Sequence, residues 1–277
     1  MANDGVDAAL ARARTLGIDR LDAQLLLGHV LARPRAWVIA HGDAVLPAAE
    51  GERFDTLCRR RAAGEPLAYL VGEKEFHGLR LAVDRRVLVP RPETEVLVEW
   101  ALELLAARAP GANVADLGTG SGAIALAIGA ARPDAHVCAV DLSPDALALA
   151  QGNGRRLGIA VEWLQGDWWA AVADRRFDLV LANPPYVDGA DPHLPALRHE
   201  PPLALSPGAD GLSALRKIAL GGVRHLHPGG WLLLEHGHTQ GAAVREFLRA
   251  AGFADVETRA DLAGLPRCSG GRIAHPA

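Results

Sequence analysis

Between residues 113 and 182, short apolar runs alternate with helical segments, and this alternation restricts the fold more than any other feature. Four runs have the length and β-branched content of buried strands: residues 114–117, 135–140, 161–164 and 177–182. Helical segments at residues 123–132 and 144–157 separate the first three runs. Strands that alternate with helices form parallel sheets covered on both faces, so the pattern predicts a doubly wound α/β domain.

The first predicted strand leads into a glycine-rich loop. Residues 113–122 have the sequence NVADLGTGSG, with glycines at 118, 120 and 122. Glycine permits a positive φ and lets the backbone approach a ligand closely, although such a loop alone is weak evidence for a nucleotide site. The evidence is stronger here because the next strand ends at Asp141, where a carboxylate can accept hydrogen bonds from ribose hydroxyls.

The third predicted strand ends near Asp167 and Trp168, which can contact an adenine ring by hydrogen bonding and by stacking. The carboxyl ends of parallel strands meet at one edge of a sheet, so we expect these residues to lie near Asp141 and the glycine loop. The sequence therefore predicts a site for a nucleoside-containing ligand. At this point NAD and S-adenosylmethionine fit equally well.

The fourth predicted strand ends at Asn183, which is followed by Pro184, Pro185 and Tyr186. The two prolines stop the strand and hold Asn183 in a rigid turn with its amide presented outward. Because proline has no N–H group, the carbonyl groups of this turn face a ligand without competition from a local donor. Tyr186 adds an aromatic face with a polar tip.

An amide oxygen, a backbone carbonyl and an aromatic plane together suit a planar NH2 group attached to an sp2 carbon. Two acceptors that bind both hydrogens would orient the nitrogen and favour a tetrahedral geometry. A dehydrogenase would instead need a proton-transfer residue beside the nicotinamide. The turn at Asn183 therefore favours S-adenosylmethionine as the cofactor and methyl transfer to nitrogen as the reaction.

Several motifs together resemble the glutamine N5-methyltransferase family that modifies class I peptide chain release factors. They are DLGTGSG at 116–122, Asp141, GDWW at 166–169, NPPY at 183–186, VLVPRPETE at 87–95 and GEPLAYLVG at 64–72. The resemblance covers nearly the whole chain. NPPY is shared with adenine N6 methyltransferases of DNA and RNA, whereas residues 87–95 and the helical region before them indicate the release-factor branch.

The resemblance implies a Rossmann-like class I S-adenosylmethionine-dependent methyltransferase domain, with a mostly parallel seven-stranded sheet that includes a terminal antiparallel strand. It implies methyl transfer to N5 of the glutamine in the Gly-Gly-Gln motif of class I release factors, in support of translation termination. The expected catalytic residues are Asn183, Pro184 and Tyr186, and Pro185 joins them in binding substrate. The expected cofactor-binding residues are Gly118, Thr119, Gly120, Ser121, Gly122, Asp141, Asp167, Trp168 and Asn183.

The chain divides into three expected regions. Residues 1–70 show helical periodicity and are interpreted as a small helical bundle for substrate recognition. Residues 71–89 change to a period of two, which predicts a linking β-hairpin, and residues 90–277 form the methyltransferase domain. A long proline-rich loop at residues 187–211 is a candidate wall for recognising the substrate protein, with contacts from Asp191, His193, Arg198 and Glu200. We expect a final strand near residues 272–275.

Composition restricts the remaining alternatives. A net charge of −4 argues against an electrostatic grip on nucleic acid, and three widely spaced cysteines without ligand spacing predict a reducing cytoplasm and no metal site. No apolar run approaches the length of a membrane span. We expect a cytoplasmic, monomeric enzyme without stable nucleic-acid binding, and the resemblance implies class I release factors as its partners. The alternatives are an adenine N6 methyltransferase of DNA or RNA and an inert S-adenosylmethionine-binding scaffold.

Overall fold

The computed structural model describes residues 5–208 and 210–274. The chain divides into two compact units, Met1–Glu73 and Lys74–Ala277. Among the helices of the described residues, none is both long enough and apolar enough to cross a membrane.

The first unit is a bundle of short helices. Its helices are α1 (Val6–Thr15), α2 (Arg20–Leu31), α3 (Arg35–Ala40), α4 (Ala48–Ala62) and α5 (Leu67–Val71). Asp19 caps the N-terminus of α2 by accepting a 2.7 Å hydrogen bond from the Leu21 N–H, which satisfies one of the free donors of the first turn. Leu26, Leu27 and Phe54 are fully buried at the centre of the bundle.

The second unit contains a seven-stranded sheet and a β-hairpin whose first residue, Glu73, is the last residue of the first unit. The strands of the hairpin are β1 (Glu73–Phe76) and β2 (Leu79–Ala82). The larger sheet contains β3 (Asn113–Leu117), β4 (His136–Asp141), β5 (Glu162–Gln165), β6 (Phe177–Ala182), β7 (Leu226–Glu235), β8 (Ala254–Ala260) and β9 (Pro266–Arg272). The hairpin packs into the core of this unit, because Phe76 and Leu81 are fully buried in the same cluster as the centre of the sheet.

The strand order β5-β4-β3-β6-β7-β9-β8 confirms the predicted fold class. The strands β3 to β7 are parallel, and β9 is antiparallel to both of its neighbours. The helices are α6 (Glu95–Ala106), α7 (Ala123–Ala131), α8 (Pro144–Leu157), α9 (Pro202–Leu205), α10 (Ser213–Gly222) and α11 (Gly241–Ala251). Alternate residues of β3 enter different cores: Val114 packs with α6 and α7, whereas Ala115 packs with α10 and α11.

The last strand differs from the prediction. We expected it near residues 272–275, whereas β9 spans Pro266–Arg272, and position 275 lies outside the described residues. The sequence of β9 is rich in small residues that disfavour strands, which hid it from pattern analysis. Their small size has a packing reason, since a Cβ atom at Gly270 would lie 2.8 Å from the Trp100 ring.

Candidate active site

The strand order brings the predicted site residues to one edge of the sheet. Leu117 at the end of β3 pairs with Val140 of β4 and with Ala182 of β6. Ala182 in turn pairs with Leu234 of β7. Four adjacent parallel strands therefore end at this edge, which is where open α/β sheets bind their ligands. The glycine loop follows β3, Asp141 ends β4, Asn183 follows β6 and Glu235 ends β7.

A cavity of about 470 Å³ lies at this edge, within the size range of small-molecule sites. Nine of the predicted site residues line it: Gly118, Thr119, Gly120, Ser121, Asp141, Asp167, Trp168, Asn183 and Pro185. Gly122, Pro184 and Tyr186 do not line it. The structure therefore brings together the glycine loop and the ends of β4, β5 and β6.

Gly122 has a structural explanation of its own. It is the N-terminal cap of α7 and has φ +84°, a conformation that glycine adopts readily. A Cβ atom there would approach Leu126, Trp163 and Ala150 to 3.1–3.2 Å. The absence of a side chain at Gly122 therefore lets α7 pack closely against its neighbours.

Asp141 connects the glycine loop to the end of β4. Its Oδ2 atom accepts a 2.8 Å hydrogen bond from the Gly120 N–H, and its Oδ1 atom accepts a 2.9 Å bond from the Ser143 N–H. Burial nevertheless raises the pKa of the Asp141 carboxyl. Each oxygen of an ionised carboxylate has a further lone pair, so Asp141 can accept a hydrogen bond from a ligand while it holds the loop.

The two tryptophans after Asp167 have different environments. Trp168 lines the cavity and has φ +49°, and its ring lies close to Gly118, where an added Cβ atom would be 2.9 Å away. Trp169 is buried, and its indole N–H donates a 3.1 Å bond to the Ile218 carbonyl. Asp167 forms an exposed 2.6 Å ion pair with Lys217. Of the two rings, Trp168 is therefore the one placed to stack on a ligand.

Asn183 and Tyr186 are both held by side chains from other elements. The Asn183 Nδ2 group donates a 3.2 Å hydrogen bond to the Thr94 hydroxyl oxygen. The Tyr186 hydroxyl donates a 3.2 Å bond to Glu235 Oε1, and Gln240 donates a 2.9 Å bond to the Tyr186 carbonyl. Burial raises the pKa of the Tyr186 hydroxyl, which keeps it protonated as a donor.

Two fully buried acids at this edge were not predicted as site residues. Asp116 accepts a 2.6 Å bond from the Thr119 hydroxyl and a 3.2 Å bond from the Ala125 N–H, and burial raises its pKa to about 7. Glu235 ends β7, and burial raises its pKa to about 7 as well. The available signal was an acidic residue within or at the end of an otherwise apolar strand. Only the strand order shows that Glu235 lies next to Asn183.

The loop at residues 187–211 borders the cavity through Pro201, Leu203 and Ala204. Glu200, which we expected to contact a substrate protein, is buried and accepts bonds from the Val89 N–H at 3.0 Å and from Arg91 at 2.5 Å. Its carboxylate therefore fastens the loop to residues 89–91.

The other expected contacts of the loop lie at the surface. Arg198 is exposed, as is His193, whose ring is 2.9 Å from the Asp191 carboxylate. Within residues 5–208 and 210–274, no cluster of three or more His, Cys, Asp or Glu side chains has an arrangement that could hold a metal ion.

Comparisons with known proteins give consistent results for both units. A family model described as the PrmC N-terminal domain matches residues 6–72, and one described as the methyltransferase small domain matches residues 94–200. A release factor glutamine methyltransferase of Xylella fastidiosa is 50% identical over 95% of this chain and 97% of its own length. One of Bordetella pertussis is 51% identical over 93% of this chain and 96% of its own length.

A solved structure extends the comparison to the fold. A 16S rRNA methyltransferase of Thermus thermophilus, in complex with AdoMet and guanosine, matches with a TM-score of 0.53. The match covers 73% of this chain and 49% of the other, at 18% identity. This likeness shows a shared fold.

Proposed function

This chain belongs to the family of release factor glutamine methyltransferases, and we propose that it methylates N5 of the glutamine in the Gly-Gly-Gln motif of class I release factors. The observation that carries the proposal is the position of Asn183, which lines the cavity and is anchored through its Nδ2 group to Thr94. An anchored amide whose oxygen is left for a ligand suits the recognition of an NH2 group.

We propose S-adenosylmethionine as the methyl donor, and the residues around the cavity fit it. Asp141 offers carboxylate oxygens to the ribose hydroxyls, and Trp168 offers a flat face to the adenine. The glycine loop lets the backbone approach the ligand, since Gly118 and Gly120 have φ +78° and φ +55°. When bound, the cofactor would supply a methyl group on a sulfonium centre, and the sulfur would leave as a neutral thioether without acid catalysis.

The residues of the chain contribute orientation and electrostatics. Asn183 Oδ1 and the Pro184 carbonyl each accept one hydrogen of the substrate amide, which turns the nitrogen lone pair toward the methyl group. Tyr186, fixed by Glu235 and Gln240, bounds the substrate glutamine. The amide nitrogen would carry a positive charge directly after methyl transfer and would then be strongly acidic, so it would lose one proton to solvent and no side chain would have to act as a strong base.

We propose that residues 1–70 recognise the release factor. Support comes from the PrmC N-terminal domain match and from the name of the relatives. Three consecutive arginines, residues 59–61, lie in the last turn of α4. Arg60 forms an ion pair with Glu65 and Arg61 forms one with Asp22, both at 2.7 Å. These ion pairs favour a structural role of the arginines over RNA binding. We also propose that the enzyme is a monomer and works in the cytoplasm, the compartment in which release factors act. The three cysteines are buried free thiols, which is consistent with a reducing compartment.

Labelled methyl transfer tests the proposal. The protein is incubated with methyl-tritiated S-adenosylmethionine and a class I release factor, in parallel with duplex DNA and structured RNA. We expect the label as N5-methylglutamine in the release-factor peptide that contains the Gly-Gly-Gln motif. A release factor in which the glutamine of this motif is replaced by alanine should take up no label. The Asn183→Ala variant should lose about two to three orders of magnitude in kcat, as when one preorganised polar group is removed.

Two results would overturn the proposal. Label in adenine of DNA or RNA but not in release factor would indicate the alternative nitrogen substrate. Tight binding of S-adenosylmethionine by calorimetry, without transfer to any of these substrates, would indicate a binding scaffold.

A further inference from the structure

Gln240 fastens the NPPY turn, residues 183–186, to the start of α11. Its Nε2 group donates a 2.9 Å hydrogen bond to the Tyr186 carbonyl and a 3.4 Å bond to the Gly211 carbonyl. Its Oε1 atom accepts a 2.9 Å bond from the Gly237 N–H. All three partners are backbone groups, so their chemistry fixes which of them donates and which accept. The orientation of the Gln240 amide therefore follows directly from these three bonds.

Gln240 is itself held firmly by the fold. It is the N-terminal cap of α11, and its backbone N–H donates a 2.9 Å bond to the Gly237 carbonyl. Its own carbonyl accepts a 3.0 Å bond from the N–H of Val244, which is fully buried in the same core as Leu234 of β7. Because both of its backbone groups are bonded and its side chain is half-buried, Gln240 is a rigid support for the turn.

Gly211 shows how closely the chain packs around the Gln240 amide. It has φ +63°, and an added Cβ atom would clash with the Tyr186 carbonyl oxygen and lie 2.9 Å from Gln240 Nε2. The end of the 187–211 loop can therefore pass beside the NPPY turn only at a residue without a side chain. Gln240 thus joins the two ends of this loop, at Tyr186 and at Gly211.

Tyr186 has further anchors besides Gln240. Its hydroxyl donates to Glu235 Oε1 at 3.2 Å, so the ring is held as well as the backbone. The Val187 N–H, which belongs to the same peptide group as the Tyr186 carbonyl, donates a 2.9 Å bond to the Leu205 carbonyl. Rotation of this peptide group would therefore break hydrogen bonds on both of its sides.

The two prolines of the turn transmit this anchor to the Pro184 carbonyl. A proline ring fixes φ near −65°, and a residue that precedes proline is restricted in ψ as well. Pro184 precedes Pro185, so few freely rotating bonds separate the Pro184 carbonyl from the Tyr186 peptide group. A fixed Tyr186 carbonyl therefore limits the direction in which the Pro184 carbonyl can point.

We propose that Gln240 is a positioning residue that sets the direction of the Pro184 carbonyl through the Tyr186 peptide group, so that this carbonyl accepts a hydrogen of the substrate amide. The inference rests on the proposed methyl transfer to an amide nitrogen. Gln240 does not line the cavity, so it acts on the reaction through the turn.

The first test compares Gln240→Met with Gln240→Glu. Methionine keeps the length of the side chain and removes the whole amide, whereas glutamate keeps an acceptor for the Gly237 N–H and removes both donors. At saturating release factor, we expect each variant to lose about 10- to 100-fold in kcat, the scale for misplacement of a catalytic group. Affinity for S-adenosylmethionine should change little, which also shows that the variants are folded.

The glutamate variant separates positioning from a purely structural role. If Gln240 only supported the start of α11 through Gly237, Gln240→Glu would keep the parental kcat, and that result would overturn the inference. Gln151→Glu is the matched control, because it makes the same chemical change at a half-buried glutamine of α8 that does not line the cavity. A loss of kcat in this control equal to that in Gln240→Glu would overturn the inference too.

A measurement without turnover distinguishes this inference from the proposed function. The chain has two tyrosines, and only Tyr186 precedes a valine. In protein labelled with 13C at the tyrosine carbonyls and with 15N in valine, a spectrum that correlates each carbonyl with the following nitrogen therefore contains one signal, from Tyr186 and Val187. This signal should shift in Gln240→Met and Gln240→Glu and remain unchanged in Gln151→Glu.

The two ideas can fail separately. An unshifted signal in both Gln240 variants would overturn the inference even if the parent enzyme methylates release factor. A shifted signal in these variants, together with a parent protein that transfers no methyl group, would leave the anchoring of the turn intact and refute the proposed function.

Discussion

At the scale of single residues, Asp141 joins the fold to the proposed cofactor site. Its two oxygens hold the Gly120 and Ser143 N–H groups at 2.8 and 2.9 Å, and it lines the cavity. We expect Asp141→Ala to weaken S-adenosylmethionine binding by about 1.5 to 3 kcal/mol, the range for hydrogen bonds to a charged group. Calorimetry measures the change.

The matched control for this prediction is Asp145→Ala. Asp145 is an exposed acid in the first turn of α8 and does not line the cavity, so its removal alters the net charge equally. Cofactor affinity that is unchanged in Asp141→Ala, or equally reduced in both variants, would refute the role of Asp141.

At the scale of the element, the glycine loop combines backbone conformation with close packing. Gly118 and Gly120 both have positive φ, so alanine at either position costs about 1 to 2 kcal/mol of stability. A Cβ atom at Gly118 would also lie 2.9 Å from the Trp168 ring, whereas one at Gly120 meets no protein atom within 4 Å. We therefore predict that Gly118→Ala lowers the free energy of unfolding more than Gly120→Ala does.

Urea denaturation of the two variants compares their stabilities directly. Equal losses would show that the Trp168 ring moves aside without cost. The space beside Gly120 is where we expect a ligand, so Gly120→Ala should also weaken S-adenosylmethionine binding while the protein stays largely stable.

At the scale of the whole molecule, the two units have separate cores, and this decides where the chain can be divided. The hairpin belongs with the second unit, because Phe76 and Leu81 are fully buried there and Asn153 forms two hydrogen bonds to the Ala82 backbone, at 2.8 and 3.0 Å. We predict that a fragment starting at Lys74 folds and binds S-adenosylmethionine. One starting at Leu88 should melt at a lower temperature because it lacks these core residues.

The same fragment tests the proposed recognition role of residues 1–70. A protein substrate can use an interface of ~1,200 to 2,000 Å², and binding energy far from the reacting centre supports positioning there. The Lys74 fragment should therefore lose most of its kcat/KM on intact release factor. Methylation by this fragment as efficient as that by the full chain would rule out the recognition role.

Local patterns in the sequence were sufficient for the class of fold and for much of the site. Apolar runs with β-branched residues can bury themselves only as strands in this context, the glycines permit a tight loop, and the prolines end β6 at Ala182, just before Asn183. These preferences act over a few residues, so they can be predicted without knowledge of distant contacts.

Tertiary structure decided what depends on partners far apart in the chain. The order β3-β6-β7 places Glu235 beside the turn at Asn183, and the fold brings the Thr94 hydroxyl to 3.2 Å from the Asn183 amide nitrogen. In β9, Gly270 lies so close to the Trp100 ring that a side chain would not fit there. Glu200 is buried together with its hydrogen bond from Arg91, which lies far from it in the sequence. Side-chain burial and hydrogen bonding between distant segments follow from packing, and local propensity carries no information about which segments will meet.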